Sequence, residues 1–184
     1  MIAAGPSAIA CHQIQSFPTR PHPMKRRRMH TLIIFVAAVL AVGIAGTFFL
    51  SLAAERPSDL GVHDGRLADV PSSPNCVSTY ATTKRHSIQP LMFGGDPDQA
   101  LAKIANIIST MRGTTVVETK SDYLYVEFRS QIFRFVDDVE FFVDVRTNQI
   151  RFRSASRTGH SDIGVNRARM ERIRKLFETR SRDL

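Results

Sequence analysis

Residues 31–54 read TLIIFVAAVLAVGIAGTFFLSLAA, 24 positions without a charge. As a helix, rising about 1.5 Å per residue, this run reaches roughly 36 Å, more than the hydrocarbon core of a bilayer at about 30 Å. A helix buried in a soluble core normally keeps a polar stripe. This one has none. The sequence therefore predicts an N-terminal transmembrane helix with the lipid bilayer as the partner of residues 31–54, followed by a segment that folds on its own.

The formal net charge is +8, a value that by itself suits a nucleic-acid binder. Its placement argues against that class. Arg20, Lys25, Arg26, Arg27 and Arg28 precede the apolar run with no acidic residue among them. Residues 55–184 carry 20 basic and 17 acidic side chains, nearly in balance. The positive-inside rule makes residues 1–30 a basic cytoplasmic or disordered tail. It puts the C-terminal domain on the periplasmic side of a bacterial inner membrane, single-pass, where no nucleic acid is expected. A second reading starts the chain at Met24, takes the apolar run as a signal peptide cut after Ser51-Leu52-Ala53, and releases the domain to the periplasm. The run exceeds the usual signal core of about 7–15 residues, which favours an anchor. Cys11 and His12 stand side by side in the tail, too few ligands for a metal site.

Beyond the apolar run, Pro57, Gly61, Gly65, Pro71 and Pro74 punctuate residues 55–75, which read as a linker and lead-in loop. A domain is expected over 76–180. Cys76–Tyr80 suits the start of a short strand. Asp96 and Pro97 have the form of a helix N-cap and first turn, and Leu101, Ile104, Ile108 and Met111 continue at helical spacing to Gly113. Thr114–Glu118 and Tyr123–Arg129 read as strands, the second strictly alternating. Phe133, Phe135, Val139, Phe141, Val143 and Val145 extend the alternation, with Asp137-Asp138 expected as a bend or bulge. Arg146–Gln149 is a hairpin turn into Ile150–Ser154. One buried and one wet sheet face are expected. Val165, Met170, Ile173, Leu176 and Phe177 give a last helix its apolar side, and Arg167, Arg169, Arg172, Arg174 and Lys175 a basic one that faces solvent or anionic lipid. The fold class is α+β: a small antiparallel sheet of three or four strands packed with two helices, preceded by one transmembrane helix.

Two places attract a chemical reading. Cys76 is the only cysteine after the apolar run. It is either a small packed residue, a partner in an intermolecular disulfide, or a nucleophile served by His86 or His160. His86, in Lys84-Arg85-His86-Ser87, reads as a surface loop residue. The stretch Arg157–Arg167 is dense in polar side chains. Arg157 and Arg167 suit carboxylates or an anionic ligand, and Asp162 and Asn166 suit positioning the loop. A helix cap fastened by salt bridges accounts for the same residues. His160, Ser161 and Asp162 are consecutive and do not make a triad by sequence. The chain has no Gly-rich phosphate loop and no zinc spacing, so no metal and no cofactor are expected.

Pro71-Ser-Ser-Pro-Asn-Cys-Val-Ser78 and Arg153-Ser-Ala-Ser-Arg-Thr-Gly-His-Ser-Asp-Ile-Gly-Val-Asn-Arg167 together resemble the DUF1499 family, a bacterial and plastid group named only as a domain of unknown function. The resemblance covers residues 66–178. It implies that Asn75, Cys76, Arg157, Ser161, Asp162, Asn166 and Arg167 stand at the family's characteristic positions, and it implies no activity or cofactor. Many members carry a second cysteine just before the Pro-Ser-Ser-Pro motif, where this chain has Val70. That departure removes a local partner for Cys76. The expected function is a membrane-anchored envelope binding or accessory protein. Its ligand surface joins the Cys76 loop to the Arg157–Arg167 loop, with Asn75, Cys76, Arg157, Asp162, Asn166 and Arg167 as candidate contacts. Its partner is an anionic ligand or an envelope protein, and its oligomeric state is open. The alternatives are a cysteine-dependent hydrolase or transferase using Cys76, and a scaffold acting through an exposed aromatic patch that includes Tyr123 and Tyr125.

Overall fold

The structure is a computed structural model that describes residues 23–179. Cys11 and His12, with the rest of the tail to residue 22, lie outside the described residues. The chain divides into two units, residues 1–41 and 42–184. Helix α1 spans Pro23–Leu52, so the basic cluster Lys25–Arg28 is part of its first turns. Its stretch Arg26–Leu52 is long and apolar enough to cross a membrane, which suits a membrane anchor or a signal sequence.

The folded domain is α+β. Its elements in order are β1 (Val62–His63), β2 (Arg66–Leu67), β3 (Cys76–Ser78), β4 (Leu91–Met92), α2 (Pro97–Ser109), β5 (Thr114–Thr119), β6 (Tyr123–Arg129), β7 (Val136–Asp144), β8 (Gln149–Ser156) and α3 (Val165–Thr179). Strands β1 and β2 form a small hairpin. The main sheet runs β3-β8-β7-β6-β5, with β4 also on β8. Its strand pairings are antiparallel. The sheet has six strands rather than three or four, because β3 and β4 are short pieces that both borrow the long β8 as template.

Local chemistry explains the element ends. The Asp96 carboxylate accepts the Asp98 N–H at 3.0 Å, capping α2, and Pro97 enters where no N–H is needed. Gly113 follows α2 at φ +76°, and a Cβ there would meet the Arg129 carbonyl oxygen at 2.4 Å. Only glycine lets the chain turn this close to β6.

Helices α2 and α3 cover one face of the sheet. Leu124, Val126, Phe128, Val139, Phe141, Val143, Ile150 and Phe152 point into this core. Leu101, Ile104, Ile107 and Ile108 meet them from α2, and Met170, Ile173 and Phe177 from α3.

Three expectations fail on the sheet. The second face is not wet. Residues 55–67 lie across it, and Leu60, Val62 and Leu67 pack on Tyr123, Tyr125 and Phe142. The stretch expected as a linker is therefore in part a cover. Nor do Asp137 and Asp138 break their strand. Strand β7 runs unbroken through both, paired with Ser156 and Ala155 on β8. The bulge lies instead in β5, between Val116 and Glu118. Phe133 and Phe135 are not strand residues but stack on each other in the β6–β7 loop, centroids 5.6 Å apart.

Candidate functional site

Alternation along a strand sends Asp137 and Asp138 to opposite faces, and each finds its own arginine. On the covered face, Arg157 Nη2 donates to Asp138 Oδ1 at 2.7 Å, to Glu127 Oε1 at 2.5 Å and to the Tyr125 hydroxyl at 2.8 Å. Its Nε donates to Asp138 Oδ2 at 2.9 Å. Tyr125 in turn donates to Asp138 Oδ1. Glu127 also takes Arg56 at 2.9 Å and Arg129 at 3.0 Å. Burial pushes the Glu127 carboxyl up, but hydrogen bonds from Arg157, Arg56 and Arg129 outweigh it and hold the group down at about 2. Beside it, Glu140 accepts the Gly61 N–H at 2.7 Å and the Tyr123 hydroxyl at 2.9 Å, with Arg153 at 3.4 Å. Burial wins there, and the Glu140 carboxyl is raised despite those donors. Asp59 reaches Arg153 from the cover at 3.6 Å. This layer is an internal ion network closed by residues 56–61. Arg157 commits its Nε and Nη2 donors within it.

Asn75 and Asn166 make a second knot, on the helix side. Asn166 Nδ2 donates to the Asn75 carbonyl and to Ser156 Oγ, each at 3.0 Å. Its Oδ1 accepts Ser154 Oγ–H and Arg169 Nη1. Asn75 Nδ2 donates to the Gly159 carbonyl at 2.7 Å and to the Ser156 carbonyl at 3.3 Å, while Ser73 Oγ donates to its Oδ1 at 2.7 Å. Asp162 accepts the Gly164 N–H at 3.1 Å and the Asn166 N–H at 2.7 Å, fastening the first turn of α3. The two motif segments are thus brought together. Their amides, however, bind each other's backbone rather than facing a ligand.

Cys76 is 1% exposed and pairs with Ala155 across β3–β8. Burial pushes its thiol up to about 11, against the pull of the nearby Arg153 guanidinium. His86 is buried and no surface residue. Its Nδ1 lies 2.8 Å from the Cys76 carbonyl, which can only accept, so Nδ1 carries the proton and serves backbone rather than thiol. His160 is exposed. A nucleophile needs an accessible thiolate and a base aimed at it, and this arrangement offers neither. Tyr123 and Tyr125 are buried and form no exposed aromatic patch. Arg167 Nη2 donates to the Arg85 carbonyl at 2.9 Å. Among the described residues no three His, Cys, Asp or Glu side chains gather where a metal ion would sit.

The opening in this region lies one turn further along α3. An open cleft of about 690 Å³ runs between the end of α2, the end of β6 and the start of α3. Arg112, Arg129, Arg169 and Arg172 line it, over a floor that includes Phe128, with Asp137 at one side. Arg169 is committed to Asp137 and Asn166 and lies over the Phe128 ring at 4.5 Å. Arg129 pairs with Glu127 at 3.0 Å. Arg112 and Arg172 are exposed, and among the described residues neither meets a carboxylate within ion-pair distance. Sequence reasoning placed Arg169 and Arg172 on a basic helix side but did not join them to Arg112 and Arg129, which come from other elements. Their spacing of three on one helix was the available signal.

A family model described as a protein of unknown function, DUF1499, matches residues 66–177. No curated protein and no solved structure matches the chain.

Proposed function

The chain belongs to the DUF1499 family, whose description assigns no function, and from that premise we propose that it is a membrane-anchored binding or accessory protein of the cell envelope that takes an anionic ligand in its arginine cleft. The observation that carries this reading is the pair Arg112 and Arg172, two guanidinium groups that meet no carboxylate among the described residues, at a cleft that two further arginines line. Guanidinium forks suit phosphate and carboxylate oxygens. Phe128 supplies an apolar floor beneath the charge, the usual make-up of a small-ligand site.

The apolar helix and the basic cluster Lys25–Arg28 before it support anchoring with the N-terminus cytoplasmic and the domain periplasmic. Cleavage after Ala53 is the alternative and leaves the same domain free in the periplasm. Arg157, Asn75 and Asn166 act in this reading as the frame that sets α3 and its arginines against the sheet. Asp162 caps the helix, and Cys76 is packing.

The test is calorimetric titration of the full chain in a neutral detergent with inorganic phosphate and with pyrophosphate. Saturable binding is expected, weakened about tenfold or more in the double variant Arg112→Ala/Arg172→Ala, the loss of charge-assisted hydrogen bonds. Both side chains are exposed, so the variant keeps its fold. Absence of binding by either anion, or equal binding by the variant, overturns the reading.

A further inference from the structure

Ile163 is 94% exposed and sits at φ +54°. Both facts are unfavourable for a β-branched apolar residue, since the left-handed region costs an L-residue about 1–2 kcal/mol. The loop nevertheless fixes it there. Ser161 Oγ accepts the Ile163 N–H at 3.3 Å, and Asp162 accepts the N–H groups of Gly164 and Asn166 on its far side. Gly164 takes φ +81° to turn the chain into α3. Asn166 is tied to β8 and to Asn75. The polar motif residues therefore hold an isoleucine out into solvent.

Ile163 does not stand alone. Val165, two residues on, lines the arginine cleft and is 50% exposed. Across the cleft, Ser130 lines the other wall, and Ile132 in the same β6–β7 loop is 76% exposed. Exposed Arg134 follows in that loop. Two apolar loop tips thus flank a groove of arginines. Exposed apolar groups rimmed by cations are the make-up of a surface that meets anionic lipid, where aliphatic tips enter the acyl boundary and guanidinium groups meet phosphates. A second apolar feature of the same chain, the helix Arg26–Leu52, supplies a bilayer for the domain to meet.

We infer that this end of the domain docks on a bilayer bearing anionic headgroups, with Ile163 and Ile132 inserted and Arg112 and Arg172 holding headgroup phosphates. The inference deepens the anion-binding reading and shares its arginines. Insertion of the loop tips is the added claim.

The test uses the full chain in lipid nanodiscs, with Ile163→Cys in a Cys11→Ser background and a solvent-sensitive fluorophore on the new thiol. The Cys11→Ser chain without the tip cysteine gives the blank for Cys76. In discs of phosphatidylcholine with phosphatidylglycerol, the emission is expected to shift to shorter wavelength and to be quenched by brominated acyl chains. Discs of phosphatidylcholine alone, and Arg112→Ala/Arg172→Ala in either disc, should give little of both effects. A label that stays water-like and unquenched in phosphatidylglycerol discs overturns the inference, as does quenching that ignores lipid charge. Phosphate binding in detergent without insertion leaves the anion-binding reading standing and removes this one. Insertion that depends on lipid charge and on both arginines, without binding of free phosphate or pyrophosphate, removes the reading of a small soluble anion and leaves the headgroup contact standing.

Discussion

Arg157 grips Asp138 through two bonds, Nε to Oδ2 at 2.9 Å and Nη2 to Oδ1 at 2.7 Å, with both side chains almost wholly inside the protein. A pair of this kind is costly to break from one side, because the remaining charge stays buried without its partner. Arg157→Ala should therefore destabilise the protein by about 3–5 kcal/mol. Arg157→Lys keeps a charge but not the fork that reaches Asp138, Glu127 and Tyr125 together, and should recover only part of the loss. Urea unfolding of the full chain in neutral detergent measures both. A loss in Arg157→Ala no larger than that of an exposed arginine, such as Arg146→Ala, would contradict the account.

The same layer makes stability depend on pH with two opposite signs. Glu127 has its folded-state pKa lowered, so its ion pairs contribute stability above the ordinary carboxyl range, and that contribution is lost as pH falls toward about 2. Glu140 has its folded-state pKa raised. The folded state then holds that proton more tightly than the unfolded chain, and stability declines as pH rises through the raised value. Glu127→Gln should be less stable than the parent at neutral pH, with the gap narrowing in acid. Glu140→Gln should flatten the decline on the rising side. Unfolding midpoints taken across pH for the three proteins decide this, and parallel curves would remove the linkage.

The sequence shows strands and helices well where apolar period and caps coincide. Tyr123–Arg129 alternates without a break and is β6. Val165 opens α3 behind the cap that Asp162 provides. The sequence fails where burial is polar. Tyr123, Tyr125, Glu127, Arg151 and Arg153 have the pattern of a wet face, and only the cover of residues 55–67 makes it an interior. That cover has no period of its own, since Leu60, Val62 and Leu67 are spaced by turns. The ion network was illegible for the same reason, because Arg56, Glu127, Asp138 and Arg157 meet only once the strands are paired. The motif segments meet beside the proposed cleft. Their asparagines fasten the two segments to each other, and the open cleft one turn further along α3 draws its arginines from three separate parts of the chain.

Cys76 offers a direct readout of the packed state. With the thiol buried and raised to about 11, little thiolate is present at neutral pH. In a Cys11→Ser chain, maleimide or disulfide reagents should label Cys76 slowly, at a rate set by opening of the domain, and quickly once denaturant is added. The rate should climb in Arg157→Ala in step with its lost stability. Rapid labelling of the native chain with an apparent pKa below that of an ordinary thiol would instead return Cys76 to consideration as a nucleophile.

Ile163 is predicted to be a residue whose removal strengthens the fold. It is almost fully exposed, so little packing is lost with its side chain. Replacing it by glycine relieves about 1–2 kcal/mol of left-handed strain. The added freedom of the unfolded chain returns about 0.5–1 kcal/mol. The balance is a net rise of up to about 1.5 kcal/mol for Ile163→Gly, read as a higher unfolding midpoint. Ile163→Val keeps the branched Cβ at φ +54° and should leave the midpoint unchanged. If glycine lowers stability and valine does not, the isoleucine is supported by contacts in the domain and the strain argument fails. If glycine raises stability while the chain loses its grip on anionic discs, the loop trades fold stability for an apolar tip held out to lipid.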